Sequence, residues 1–145
     1  MEKNLIATAT VTINATDAEV WNGLTNPEII EKYMMGATVA SDWKEGSKIT
    51  WKGEFKGKNY EDKGEILEIA PQEKLKYTHF SPLSGEDDKP ENYHTVTVNL
   101  SGDKKQTTVS LTQDKNKNEK ATEESEKNWK MMLEGLKKIL EEKTK

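Results

Sequence analysis

The chain has 145 residues, 33% of them charged and 32% hydrophobic, with 22 basic and 26 acidic side chains and a net charge of −4. Arginine and cysteine are both absent. Their absence excludes disulfides, thiolate chemistry and cysteine zinc sites, and it argues against nucleic acid, which calls for a basic surface and arginine forks. The length fits one domain over 1–145, long enough to bury roughly 70% of the surface its unfolded chain exposes.

The start, MEKNLIATATVTI, alternates over 5–13, with Ala7, Ala9, Val11 and Ile13 on one face and threonines on the other. That is the period of a half-buried strand and not the apolar block of a signal peptide. Thr16-Asp17-Ala18-Glu19 then forms a capping box, in which the hydroxyl takes a free backbone N–H and Glu19 reaches back. Val20, Trp21 and Leu24 give the helix its apolar stripe. Asn26-Pro27 starts a second short helix, with asparagine as cap and proline in the first helical position. Ile30, Tyr33 and Met34 share its buried side, and Gly36 ends it.

Strands follow. Residues 38–41 make a short one, and 48–55 put Ile49, Trp51 and Phe55 on one face against Lys48, Thr50, Lys52 and Glu54. Lys56-Gly57-Lys58 turns the chain. Along 59–69 the apolar phase breaks near Gly64-Glu65-Ile66-Leu67, which predicts a bulge or bend. After Pro71-Gln72-Glu73, residues 74–80 place Leu75, Tyr77 and His79 together. A polar loop leads to Val96, Val98 and Leu100 in 93–101, and then to Thr107, Val109, Leu111 and Gln113 in 105–113. Over 119–143, Trp129, Met132, Leu133, Leu136, Ile139 and Leu140 repeat at steps of three and four. Glutamates crowd the start of this helix and lysines its end, as the helix dipole favours. At about 1.5 Å per residue it spans more than 30 Å. No segment reaches the ~18 apolar residues of a membrane span.

Strands of this kind build an antiparallel sheet that is wet outside and dry inside, and the one long amphipathic helix is the natural cover. The predicted class is therefore α+β: a helix-grip fold, with a curved antiparallel sheet of six or seven strands wrapped around a long C-terminal helix and two short helices after the first strand. A sheet curved round one helix tends to keep a cavity, and cavities are where small molecules bind.

The order of these local signatures also resembles a family. It runs through Thr16-Asp17-Ala18-Glu19-Val20-Trp21 and Thr25-Asn26-Pro27-Glu28 to Tyr33. Gly46-Ser47, the stretch from Gly64 to Pro71, and Glu73-Lys74-Leu75-Lys76-Tyr77-Thr78 follow. Thr107 to Gln113 and Trp129-Lys130-Met131-Met132-Leu133 complete it. Together they resemble the START-like (SRPBCC, birch-pollen-allergen-like) superfamily, and within it the group related to the C-terminal domain of the heat-shock protein 90 ATPase activator. The resemblance implies a helix-grip fold with a pocket for an apolar or amphipathic ligand. It implies no reaction, and many members have histidine where this chain has Gln113.

Candidate lining residues are Tyr33, Met34, Trp51, Phe55, Tyr77, His79, Gln113, Trp129, Met132 and Leu133. Plain core packing explains any one of the aromatics as readily as a pocket wall does. Methionines at helical spacing are equally good core fillers, Met34, Met35, Met131 and Met132 included. A lone histidine such as His79 is more often structural or at a rim than a ligand-orienting group. His94 reads as exposed, and Asp62 as a solvated strand residue rather than a buried general acid or base. No Gly-x-Ser-x-Gly motif occurs, and two separated histidines without cysteine make no zinc cluster. Neither a catalytic residue nor a cofactor is expected. The sequence favours a binding protein for a small apolar ligand, monomeric or weakly dimeric and cytoplasmic. A chaperone-regulating interaction module comes second, and a cyclase or hydratase using cavity water third.

Overall fold

The capping signals set the first turn of the structure. In the computed structural model, which describes residues 5–34, 36–55, 57–81, 87–102, 105–116 and 118–143, β1 (Ala7–Ile13) leads into α1 (Asp17–Thr25). The Thr16 hydroxyl accepts from the Glu19 backbone N–H, and the Glu19 carboxylate accepts in return from the Thr16 N–H, which closes the predicted capping box. Asn26 ends α1 and caps α2 (Pro27–Tyr33) through its side-chain oxygen. Beyond α2, Gly36 takes φ +82°, and its N–H donates to the Glu31 carbonyl. This is a left-handed turn that suits glycine.

The remaining strands are β2 (Thr38–Ser41), β3 (Lys48–Phe55), β4 (Lys58–Ala70), β5 (Lys74–His79), β6 (His94–Gly102) and β7 (Thr107–Gln113). Among the described residues they form, with β1, one antiparallel sheet in the order β1-β7-β6-β5-β4-β3-β2. The long helix α3 (Glu119–Lys143) starts from Asn118, whose side-chain oxygen accepts from the Ala121 N–H. The fold is the predicted helix grip. No helix among the described residues is long and apolar enough to cross a membrane.

The expected irregularity in β4 has a definite form. Pairing with β5 slips between Ile66 and Glu68. Before the slip the even positions Tyr60, Asp62, Gly64 and Ile66 turn inward, whereas after it Ile69 pairs with buried Leu75 while Leu67 and Glu68 face out. One extra residue thus exchanges the faces of the strand. Gly64 sits where β4 and β5 nearly touch: a Cβ there would lie 1.7 Å from the Thr78 carbonyl oxygen. No side chain fits that gap.

Helix α3 covers the concave face and also the free edge of β1. Glu126 accepts from the Thr8 N–H at 2.9 Å, Lys137 donates to the Thr12 carbonyl at 2.8 Å, and Glu141 accepts from the Asn14 N–H at 2.9 Å. The helix therefore runs alongside β1 in the same direction. Its polar side chains occupy part of an edge that would otherwise template another strand.

Candidate functional site

The space between sheet and helix differs along α3. Towards the C-terminal end, Leu133, Leu136 and Leu140 join Ile13, Val20, Val109 and Leu111 in one buried cluster. Towards the other end the sheet and α3 line a cavity of about 440 Å³ that opens to solvent.

Strand register decides which side chains meet there. Ala7 pairs with Gln113, Gln113 with Val96, and Val96 with Tyr77, so Gln113 and Tyr77 share one end of the sheet. Trp51 pairs with Asp62 across β3 and β4. The bridge between Lys63 and Phe80 carries the β4–β5 contact further, so that His79 and Ser81 flank Asp62. Helix α3 supplies Ser125, Asn128, Trp129 and Met132, and the segment after α2 supplies Met34 and Ala37.

The walls are aromatic. The Trp51 and Tyr77 rings lie 5.4 Å apart at 45°, and the His79 ring meets Trp51 edge-on at 5.0 Å. Trp129 is fixed by its indole N–H, which donates to Gln113 Oε1 at 2.6 Å. The amide nitrogen of Gln113 is turned to Asn116, and buried Asn116 donates in turn to the carbonyls of Leu5 and Gln113. Gln113 therefore acts as a strut for Trp129, with both ends of its amide engaged.

The ionisable feature of the cavity is a pair. His79 Nε2 lies 2.8 Å from Asp62 Oδ2, with 28% and 16% of the two side chains exposed. A carboxylate only accepts, so this nitrogen carries the proton. The other carboxylate oxygen, Oδ1, is buried and meets no donor among the described residues. Tyr77 also lines the cavity, and its hydroxyl makes no hydrogen bond among the described residues. Burial raises it above the ordinary value of 10.0, so it stays a neutral phenol and a donor.

Of the residues expected from sequence, Met34, Trp51, Tyr77, His79, Gln113, Trp129 and Met132 come together around this cavity. Tyr33 and Leu133 do not. Both line an inner void of about 30 Å³ below it, a space the size of a water molecule. The Tyr33 hydroxyl donates to the Gly23 carbonyl at 2.8 Å, and burial lifts its pKa above the ordinary phenol value. Leu133 is packed in the core. The Phe55 side chain and Met35 lie outside the described residues. Met131 points outward, because its place on α3 is off the apolar stripe. Asp62, read as solvated, is largely buried, because the β4 bulge puts its face inward. His94, read as exposed, is partly buried, and its Nδ1 bonds the Asp114 carbonyl at 2.8 Å. Tyr60, Ala37, Ser81, Ser125 and Asn128 complete the lining without having been singled out from sequence. No group of three or more metal-ligating side chains forms among the described residues.

A family model described as Activator of Hsp90 ATPase homolog 1-like protein matches residues 14–141. A protein of Cytophaga hutchinsonii, solved in solution, is 58% identical over 99% of both chains, with a TM-score of 0.86. DynU16, from the dynemicin biosynthetic locus, is 16% identical, covering 96% of this chain and 48% of its own, with a TM-score of 0.78. The Aha1 dimer of Colwellia psychrerythraea is 19% identical over 93% of this chain and 95% of that one, with a TM-score of 0.70. At such identities the last two show a shared fold alone. No curated protein matches the sequence.

Proposed function

The chain belongs to the family of Activator of Hsp90 ATPase homolog 1-like proteins, and from that premise we propose that it is a single binding domain for one small amphipathic molecule held between sheet and helix. The observation that carries this reading is the cavity of about 440 Å³, a size typical of small-molecule sites, with Trp51, Tyr77 and Trp129 as walls and Asp62–His79 as its polar end. An apolar body fits the aromatic walls, and a polar head fits the pair. Met34, Trp51, Tyr77, His79, Gln113, Trp129 and Met132 are the contact residues on this reading. Asp62 joins them as a recognition group rather than as half of a catalytic set.

The test is native mass spectrometry of the chain purified from its own host, followed by amide NMR titration with whatever is recovered. Binding predicts a retained small molecule and shifts that cluster around Trp51, Asp62, Tyr77 and Trp129. Shifts spread over the outer face of the sheet, with none at those residues, would sink the reading.

A second reading rests on the family description itself: the domain meets a chaperone with its outer surface and alters its ATPase rate. A dimeric relative of the same fold is consistent with a weak dimer. Adding the chain to Hsp90 and measuring ATP turnover separates the two, since a pure ligand binder leaves the rate unchanged.

A further inference from the structure

The Asp62–His79 pair sets a requirement on the ligand that rests on the cavity reading above and goes further. His79 covers one oxygen of Asp62 and leaves the other, buried, without a donor. A buried acceptor with no partner is costly, and a charged one is more so. The pair places a carboxylate at the cavity wall. No lysine lines the cavity to offset it, although the chain carries 22 basic side chains. The amide of Gln113, which could otherwise greet an anion, is engaged by Trp129 and Asn116. The lining also carries the aromatic rings of Trp51, Tyr60, Tyr77 and Trp129, beside the polar Ser81, Ser125 and Asn128, and aromatic faces attract cations.

We infer that the cavity takes an organic cation: a protonated amine on an apolar or aromatic body, with its ammonium group facing the Asp62–His79 pair. The carboxylate neutralises the head, the rings of Trp51 and Tyr77 flank it, and Met34, Trp129 and Met132 receive the body. A carboxylate-headed amphiphile is disfavoured by the same geometry, since its charge meets that of the Asp62 carboxylate and no lysine lines the cavity. A neutral alcohol can bond the pair but gains no charge pairing.

Three probes of matched shape separate these cases in calorimetric titrations of the full chain at neutral pH: phenylbutylamine, phenylbutanol and phenylbutyrate. The amine is expected to bind about tenfold more tightly than the alcohol, and the carboxylate most weakly. Asp62→Asn keeps the shape and removes the charge, and should bring amine and alcohol within about twofold of each other. If wild-type protein binds the alcohol or the carboxylate as tightly as the amine, the inference is overturned while the cavity reading stands. If the Asn variant keeps the amine preference, Asp62 is not its source and the inference again fails. Binding of none of the three at millimolar concentration overturns both readings. The wild-type series decides the matter even if the variant fails to fold.

Discussion

Helix α3 has two neighbourhoods along one length. Its C-terminal half packs against α1 so tightly that a methyl group added at Gly23 would lie 2.6 Å from the Leu136 Cδ1 atom. Its N-terminal half faces the cavity of about 440 Å³. Both halves carry apolar side chains at the same helical spacing, so the difference does not come from α3 alone. It comes from what stands opposite. The packed half meets α1 and the end of the sheet where Ile13, Thr107 and Val109 are fully buried. Thr107 even returns its hydroxyl to the Ala15 carbonyl at 2.9 Å, so this buried polar group is satisfied. The hollow half meets large rings that lean on one another, and the bulged strand that brings a carboxylate inside. Large, rigid rings span a gap without filling it. One end of the interface therefore supplies stability, and the other supplies space.

The sharpest way to break this comparison is to injure one end and read both. Leu136→Ala removes a side chain with no solvent exposure at the packed end and should cost about 3–5 kcal/mol in urea unfolding. Affinity for a cavity probe, measured at a temperature where the variant is folded, should hardly change. A variant that loses probe affinity in proportion to stability would show that the two ends are one unit. Trp129→Phe does the reverse. It deletes the indole N–H that Gln113 holds at 2.6 Å, at a cost of about 1 kcal/mol of stability. It also frees the cavity wall, and probe affinity should fall several-fold. Equal loss in both measurements, or no change in affinity, would count against Trp129 as a wall of the site.

The packed end was the more legible in sequence. The capping box at Thr16, the Asn26-Pro27 start, the alternation of β1 and β7, and the three-four repeat of α3 are local patterns, and each formed where it was read. The hollow end depends on distances between elements, which no local pattern encodes. A stripe on α2 or α3 tells that Tyr33 and Leu133 point inward, but not that they sit below the cavity floor. Asp62 was hardest to read. It lies in Tyr60-Glu61-Asp62-Lys63, where both faces carry charge and alternation loses contrast. Only the slip between Ile66 and Glu68 makes its face the inner one. The broken phase near Gly64 was visible, but its consequence, a carboxylate turned inward, needed the register of three strands.

The smallest expected effect concerns how the packed end is tied to the sheet edge. Glu141 accepts from Lys137 at 2.7 Å and from the Asn14 N–H at 2.9 Å. These bonds, that of Lys137 foremost, hold its carboxyl below the ordinary value of 4.5. A carboxyl depressed in the folded state binds its proton more readily when unfolded. Its contribution is therefore present above the unfolded pKa and is lost as the pH falls through the folded one. Because the group is near the surface, solvent screening limits the contribution to at most about 1 kcal/mol. Glu141→Gln should accordingly lower the urea midpoint slightly at neutral pH and flatten its decline between about pH 5 and pH 3. At the hollow end the edge of β1 is held by Glu126 at Thr8, which lies away from this pair, so probe affinity should stay unchanged in the variant. Parallel midpoint curves for wild type and variant across that range would mean that Glu141 ties nothing, and that burial at Leu136 and Leu140 alone holds the packed end closed.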